Sequence, residues 1–225
     1  MNKDIEQKAK YYSELIDKNF NQLKEFYSHS FMEFCKLNLL KNEILNCLLF
    51  ELYQSSIFST NHFLERMIKL SLIKLHTIEY DYSDMTNYTK KLKESEKEYD
   101  NLVLYESLKK AFEFKLITKE QYDYLVNVKN ELRNPYSHAE VSKVIKNDID
   151  FKGFMFNISD GINKLKEGKP LDIPNPTIIP KFSPAMAQML QENKSKELAF
   201  DYFKNVFNIL NEIENRITVF KNKKH

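Results

Sequence analysis

The sequence predicts an all-α protein, folded as an up-and-down bundle of four to six helices in a single domain that spans residues 1–225. Two observations lead to this fold class. All six prolines lie at or after Pro135 and all three glycines at or after Gly153, so residues 1–134 contain no strong helix breaker. Through the same region apolar residues recur at steps of three and four, the spacing of one helix face.

Three helices are predicted in the N-terminal third of the chain. The apolar run from Phe31 to Phe58 is rich in Leu and Phe almost all round, which is typical of a central helix. Ser59 and Thr60 are preferred N-cap residues, so a third helix is predicted to begin there. The first helix precedes both and is expected to bury a stripe made of Ile5, Ala9, Tyr12, Ile16, Phe20, Leu23 and Tyr27.

The middle of the chain alternates polar and amphipathic segments. Residues 79–100 are polar and rich in Tyr and Lys, which favours a surface loop with some helix. Helical periodicity returns over 104–112. Thr118 opens the next helix with Gln121 three residues later, the pattern of a capping box.

Residues 148–191 differ in composition and are predicted to be an irregular insertion or arm before the C-terminal helix. The segment FKGFMFNISDG alternates like a strand that ends in a turn, and PLDIPNPTIIPKFSP reads as extended or polyproline-like chain. The final helix has the most regular periodicity of all, with apolar residues at Leu198, Tyr202, Val206, Ile209, Ile213, Ile217 and Phe220.

Composition excludes several classes of protein. Three glycines are too few for a P-loop, a Rossmann fold or a kinase, because their phosphate-binding loops need several glycines close together. Cys35 and Cys47 form neither a CxxC nor a zinc-ligand spacing, so we expect two reduced core thiols and neither metal nor cofactor. The charged N-terminus lacks the apolar core of a signal peptide and no run of 18 apolar residues occurs, which predicts a cytoplasmic protein with no membrane span.

The segment Arg133-Asn134-Pro135-Tyr136-Ser137-His138 is the strongest candidate for chemistry. Pro135 disfavours helical conformation at Asn134, so one helix should end near Arg133 and the next begin at Pro135. On an unbroken helix Arg133 and His138 would point about 140° apart; a break removes that constraint. His138 would then lie in the first turn of a helix, where unpaired N–H groups favour a phosphate.

These residues suit cleavage of a phosphodiester without a metal. A neutral His138 can take the proton from a ribose 2′-OH or return one to the leaving 5′ oxygen. The fork of Arg133 can bind the phosphate and stabilise the additional charge of the transition state, and Asn134 can orient either group. An arginine at a helix C-terminus and a histidine that is only a satisfied polar residue are the structural alternative.

The R-x4-H spacing with a polar residue after the arginine resembles the signature of the HEPN superfamily, and Glu65 with Lys69 resembles its amphipathic early helix. The resemblance implies an HEPN-like bundle, a homodimer with a composite active site, and a metal-independent endoribonuclease that acts on RNA as a toxin or antiviral defence effector. It also implies an antitoxin or defence protein as partner, with Arg133 and His138 catalytic and Asn134 assisting. The alternatives are a non-catalytic HEPN-like dimer that binds a nucleotide, RNA or protein, and a purely structural dimer.

Other constellations favour ordinary structural roles. His62 and Glu65 share a helix face but are expected to form a surface pair, and Asp148 with Asp150 to lie at a loop edge. A second candidate RNA contact is a basic and aromatic patch, although the glutamates at 94, 96 and 98 make a solvated face the commoner interpretation. The patch comprises Lys90, Lys91, Lys93 and Lys97 with Tyr80, Tyr82, Tyr88 and Tyr99.

Overall fold

The protein is an all-α bundle, as predicted. A computed structural model describes residues 3–79, 84–133, 151–153, 158–170, 175–179 and 184–223. A 3-10 turn, Cys35–Leu37, precedes the second helix, and a π-helical segment, Lys129–Arg133, follows the sixth. The described helices are α1 (Lys3–Ser28), α2 (Asn38–Leu49), α3 (Tyr53–Thr77), α4 (Met85–Tyr99), α5 (Leu104–Glu113), α6 (Lys119–Val128), α7 (Ile158–Lys166) and α8 (Pro184–Asn222).

Helix α3 is the central element of the bundle. It packs against α2, α4, α5, α8 and the π-helical segment. Apolar side chains on more than one of its faces are buried, which fits a helix surrounded by neighbours. The most deeply buried of them are Ile57, Phe63, Leu64, Met67, Ile68 and Leu72.

The run from Phe31 to Phe58 is two helices rather than the one predicted. Helical conformation is interrupted after α2, where Glu51 adopts a left-handed φ of 58°. Helix α3 therefore begins at Tyr53, and the predicted N-caps lie inside it. Thr60 Oγ1 donates instead to the carbonyl of Ser56 at 2.8 Å, the contact that Ser and Thr make within a helix.

The predicted buried stripe of α1 is wrong in register. Of its seven residues only Leu23 is buried, while Leu15, Asn19 and Phe26 complete the buried face. Apolar residues occupy two neighbouring faces of this helix, and packing against α2 and α8 decides between them. The ring of Phe26 meets those of Phe203 and Phe207 edge to face, with centroids 5.4 Å and 5.0 Å apart. The other stripe residues are exposed or, for Tyr27, half-buried.

The polar segment predicted to be mainly loop contains a regular helix, α4. The carboxylate of Asp84 accepts from the N–H of Asn87 at 3.1 Å and caps its first turn. Ser95 and Tyr99 are buried and half-buried Leu92 packs against the core, so a few positions on one face anchor an otherwise polar helix. The capping box of Thr118 and Gln121 is confirmed at the start of α6.

The described parts of the 148–191 excursion contain regular structure. A short strand, β1 (Phe151–Gly153), pairs antiparallel with β2 (Thr177–Ile179), so strand conformation occurs in both segments that the sequence described as strand-like or extended. Helix α7 lies between these strands in the sequence. The C-terminal helix begins at Pro184, well before the predicted end of the excursion.

The connection between α1 and α2 is held by two buried charged side chains. The Lys41 ammonium donates to the carbonyls of Phe26, at 2.7 Å, and His29, which caps the C-terminus of α1. Burial lowers the pKa of Lys41. Glu214 Oε1 of α8 accepts from two successive backbone N–H groups, the first that of Glu33 at 2.8 Å. The linker between α1 and α2 is therefore bonded to α2 through Lys41 and to α8 through Glu214.

The cysteines depart from prediction in one respect. Both thiols are free, but Cys35 is exposed and Cys47 half-buried, so neither is a core residue. Within the described ranges, no helix combines the length and apolar character that crossing a bilayer requires.

Candidate functional site

Arg133 lies at the end of the π-helical segment that continues α6. The sequence predicted a helix end near Arg133, and helical conformation extends to that residue through five π-helical positions. Two further members of the predicted site, Asn134 and His138, lie outside the described residues, as does Pro135. The structure therefore places one of the three predicted site residues.

Glu65 of α3 links Arg133 to a second cation. Its Oε2 accepts from Arg133 Nη2 at 3.3 Å, and its Oε1 lies 3.2 Å from Lys69 Nζ. Lys69 also donates to the carbonyl of Asp100, at the end of α4, at 2.8 Å. The side chains of Glu65, Lys69 and Arg133 are each less than one-third exposed. The carboxylate thus fixes the guanidinium on α3 and, through Lys69, connects it to α4.

A cleft of about 450 Å³ opens beside this ion pair, between α3 and the C-terminal end of α4. Three carboxylates in its wall oppose two cations, with Arg133 as a third cation bonded at its edge. The nearly balanced charges mean that these residues alone do not make the cleft a strong attractor for anions. The polar wall consists of His62, Glu65, Arg66, Lys69, Glu96, Asp100 and Asn101.

A buried polar pair lies one helical turn below Glu65. Tyr202 Oη of α8 donates to Asn61 Oδ1 of α3 at 2.6 Å. Burial raises the pKa of Tyr202, and the nearby positive charge of Arg133 acts in the opposite direction. Asn61 Nδ2 is buried and has no hydrogen-bond partner among the described residues. The tyrosine therefore connects α8 to the helix that carries Glu65.

Asn61, Tyr202 and Asp100 were not predicted from the sequence as parts of this site. One signal was available, because positions 61, 65 and 69 carry polar residues at steps of four on the helix with the largest number of buried apolar residues before α8. No local pattern could pair them with Arg133 or Tyr202, since those partners are 68 and 141 residues away in the sequence.

The remaining predicted constellations divide between the described and undescribed parts of the chain. His62 and Glu65 both line the cleft, yet no cluster of three or more His, Cys, Asp or Glu that could hold a metal occurs in the ranges that the structure describes. Asp148 and Asp150 lie outside those ranges, as do Tyr80 and Tyr82. Tyr99 faces inward, with its hydroxyl 2.9 Å from His76 Nε2.

A second cleft, of about 360 Å³, lies between α3, α4 and the end of α8. Glu33 on its rim forms ion pairs with Lys74 and with Lys221, the latter at 3.1 Å. The hydrogen bond from Lys74, followed by that from Lys221, lowers the pKa of Glu33 against the opposing effect of burial. Both cations are already paired with this one carboxylate, which leaves a single excess positive charge in the triad on the rim.

The fold and the cleft define an all-α bundle with a polar interhelical site. Comparison with known proteins adds nothing more specific, because no protein-family model, curated protein or solved structure matches the chain.

Proposed function

We propose that this protein is a metal-independent endoribonuclease that cleaves RNA through attack of the ribose 2′-OH. The observation that supports this most is the position of Arg133, whose guanidinium is bonded to Glu65 at the edge of a polar cleft. An arginine whose side chain is already held in one orientation loses little conformational entropy when its guanidinium contacts a phosphate. The proposal also uses the Arg133-Asn134-Pro135 sequence and the resemblance of the motif to the HEPN superfamily.

In this proposal each motif residue has one role. Arg133 contacts the scissile phosphate and stabilises the charge that develops on it. His138 accepts the proton from the 2′-OH or donates one to the departing 5′ oxygen, and Asn134 orients the phosphate or the arginine. The 2′ oxygen forms a bond to phosphorus while the bond to the 5′ oxygen breaks, leaving a 2′,3′-cyclic phosphate. This transesterification consumes neither water nor a cofactor.

Homodimerisation is part of the same proposal. One chain has a single Arg133–His138 pair, which supplies either the acid or the base but hardly both. A two-fold axis brings two pairs to one composite site. We further propose that the enzyme acts in the cytoplasm as a toxin or antiviral effector, with an antitoxin or defence protein as its partner.

The decisive experiment is RNA cleavage by the purified protein in EDTA. We expect cleavage with 2′,3′-cyclic phosphate ends, loss of about a hundredfold or more in rate for His138→Ala, and resistance of RNA that carries a 2′-deoxy sugar at the cleavage position. His225→Ala, at the last residue, is the matched control and should cleave like the parent. Undiminished cleavage by His138→Ala would show that the assignment is wrong.

Growth of expressing cells separates this activity from non-catalytic binding. A toxic ribonuclease should inhibit growth, and His138→Ala should relieve the inhibition. A binding module would instead lose RNA or nucleotide binding on Arg133→Ala, show no turnover, and be indifferent to His138. The second pattern overturns the nuclease proposal.

A further inference from the structure

The outward face of α4 carries three lysines in a row. Lys90, Lys93 and Lys97 are separated by three and four residues and are all exposed. Steps of three and four bring side chains to one side of a helix, and the row spans about 10 Å along the axis. Within the described part of the chain, none of the three forms an ion pair.

The acidic residues of α4 do not cancel this row. Glu94 is paired with Lys91 at 3.6 Å, and Glu98 with Lys110 of α5 at 3.3 Å. Glu96 lines both clefts, which lie on the side of the helix toward α3. Of the glutamates that made a solvated face the commoner interpretation of the sequence, two are therefore paired with lysines outside the row and the third lies at the clefts.

The row leads to the candidate site. Helix α4 ends at Tyr99, and Asp100 follows directly and forms part of the cleft wall. Lys69 donates to the Asp100 carbonyl and is paired with Glu65, which holds Arg133. From Lys97 to Asp100 the chain advances by only about one helical turn. A polyanion lying along the three lysines would thus reach the cleft without leaving the surface.

We infer that α4 is the track on which single-stranded RNA approaches the cleft. This inference rests on the proposed function, since it gives the nuclease the positive surface that the balanced charges of the cleft lack. The strand is single because in-line attack by a 2′-OH requires a backbone that is free to bend. Lysines bind phosphates as point charges, so the track should be indifferent to base sequence.

The test is binding of 2′-O-methyl RNA, which has no 2′-OH and cannot be cleaved by this route. The variant replaces Lys90, Lys93 and Lys97 with Gln, which preserves helix propensity. The matched control replaces Lys3, Lys8 and Lys24 of α1, which are exposed and form no ion pair in the described ranges, so both variants lose three positive charges. Affinity is measured by fluorescence anisotropy across a range of salt concentrations.

We expect the α4 variant to bind about tenfold or more weakly near physiological salt, and its log–log salt dependence to be shallower by about 2, since each phosphate contact on a single strand contributes about 0.7. The α1 control should keep the parent slope. Equal slopes for the α4 variant and the parent, or binding of the parent to anionic lipid vesicles but not to RNA, would overturn the track. A parent that binds RNA through α4 but never cleaves it would overturn the nuclease and leave the track standing.

Discussion

Arg133 and Glu65 are 68 residues apart in the sequence, yet their side chains meet at 3.3 Å. The guanidinium lies at the end of the π-helical segment and the carboxylate on the central helix. The orientation of the arginine is therefore set by α3, so changes in α3 should alter the chemistry assigned to the motif.

Glu65→Ala should lower RNA cleavage by about tenfold or more, because the arginine loses the carboxylate that bonds its guanidinium to α3. We expect the loss in kcat, with KM nearly unchanged, because the RNA contacts proposed for α4 remain. Glu106→Ala, at an exposed position of α5, is the control and should leave cleavage unchanged. Equal kinetics for Glu65→Ala and the parent would show that Glu65 does not position Arg133.

Tyr202→Phe should destabilise the protein by about 1–3 kcal/mol. The hydroxyl is the hydrogen-bond donor to buried Asn61 Oδ1, and removing it leaves that oxygen unsatisfied. Urea unfolding measures the loss. Tyr11→Phe removes a hydroxyl from a tyrosine that is 53% exposed and should change stability by less than about 0.5 kcal/mol. Equal stability of the two variants would contradict the assigned contact.

Glu33 should make stability depend on pH in the acidic range. Its pKa is lowered below the usual 4.5 in the folded state, chiefly by Lys74, so the carboxylate binds protons more weakly there than in the unfolded chain. The stabilisation is therefore fully present above about pH 4.5 and is lost as the pH falls through the lowered pKa. Urea unfolding of the parent and Glu33→Gln should differ clearly at pH 7 and much less at pH 3.

The matched control for this titration is Glu25→Gln, at an exposed glutamate of α1 that has no ion pair in the part of the chain described. Its difference from the parent should be small at both pH values. A Glu33→Gln difference that stays constant between pH 7 and pH 3 would refute the linkage.

Thr118→Ala should cost about 1 kcal/mol, because Thr118 Oγ1 accepts from the N–H of Gln121 at 3.2 Å and satisfies the first turn of α6. Thr118→Ser keeps the hydroxyl and should restore most of the loss. Ser59→Ala, at a residue that also reads as an N-cap in the sequence, should be neutral because it lies within α3. Thermal unfolding of the three variants makes the comparison, and a loss at Ser59 equal to that at Thr118 would contradict it.

Thr118 and Ser59 show which N-caps the local sequence predicts correctly and which it does not. Thr118 is preceded by a turn and followed by Gln121, and both halves of its capping box are formed. Ser59 and Thr60 have the right side chains, but the chain has already entered a helix at Tyr53. Glu51, which follows α2 in a left-handed conformation, is not a glycine, so its residue type does not predict that the helix ends there.

The fold class followed from periodicity, whereas the buried face of α1 did not. That helix has apolar residues on neighbouring faces, and the burial of Phe26 depends on the aromatic side chains of α8. The candidate site was likewise predictable only where a local motif marks a residue. Arg133 was found from its local motif, while Glu65 and Tyr202 became its neighbours only through long-range packing.

The π-helical segment that ends at Arg133 gives this part of the chain a tolerance for a change in length. Its hydrogen bonds span five residues instead of four, so it accommodates one residue more than an α-helix of the same turn. Deleting one position between Lys129 and Leu132 would return the segment to α-helical spacing and leave the guanidinium directed toward α3. The same deletion within the regular part of α6 would turn everything after it by about 100° around the axis.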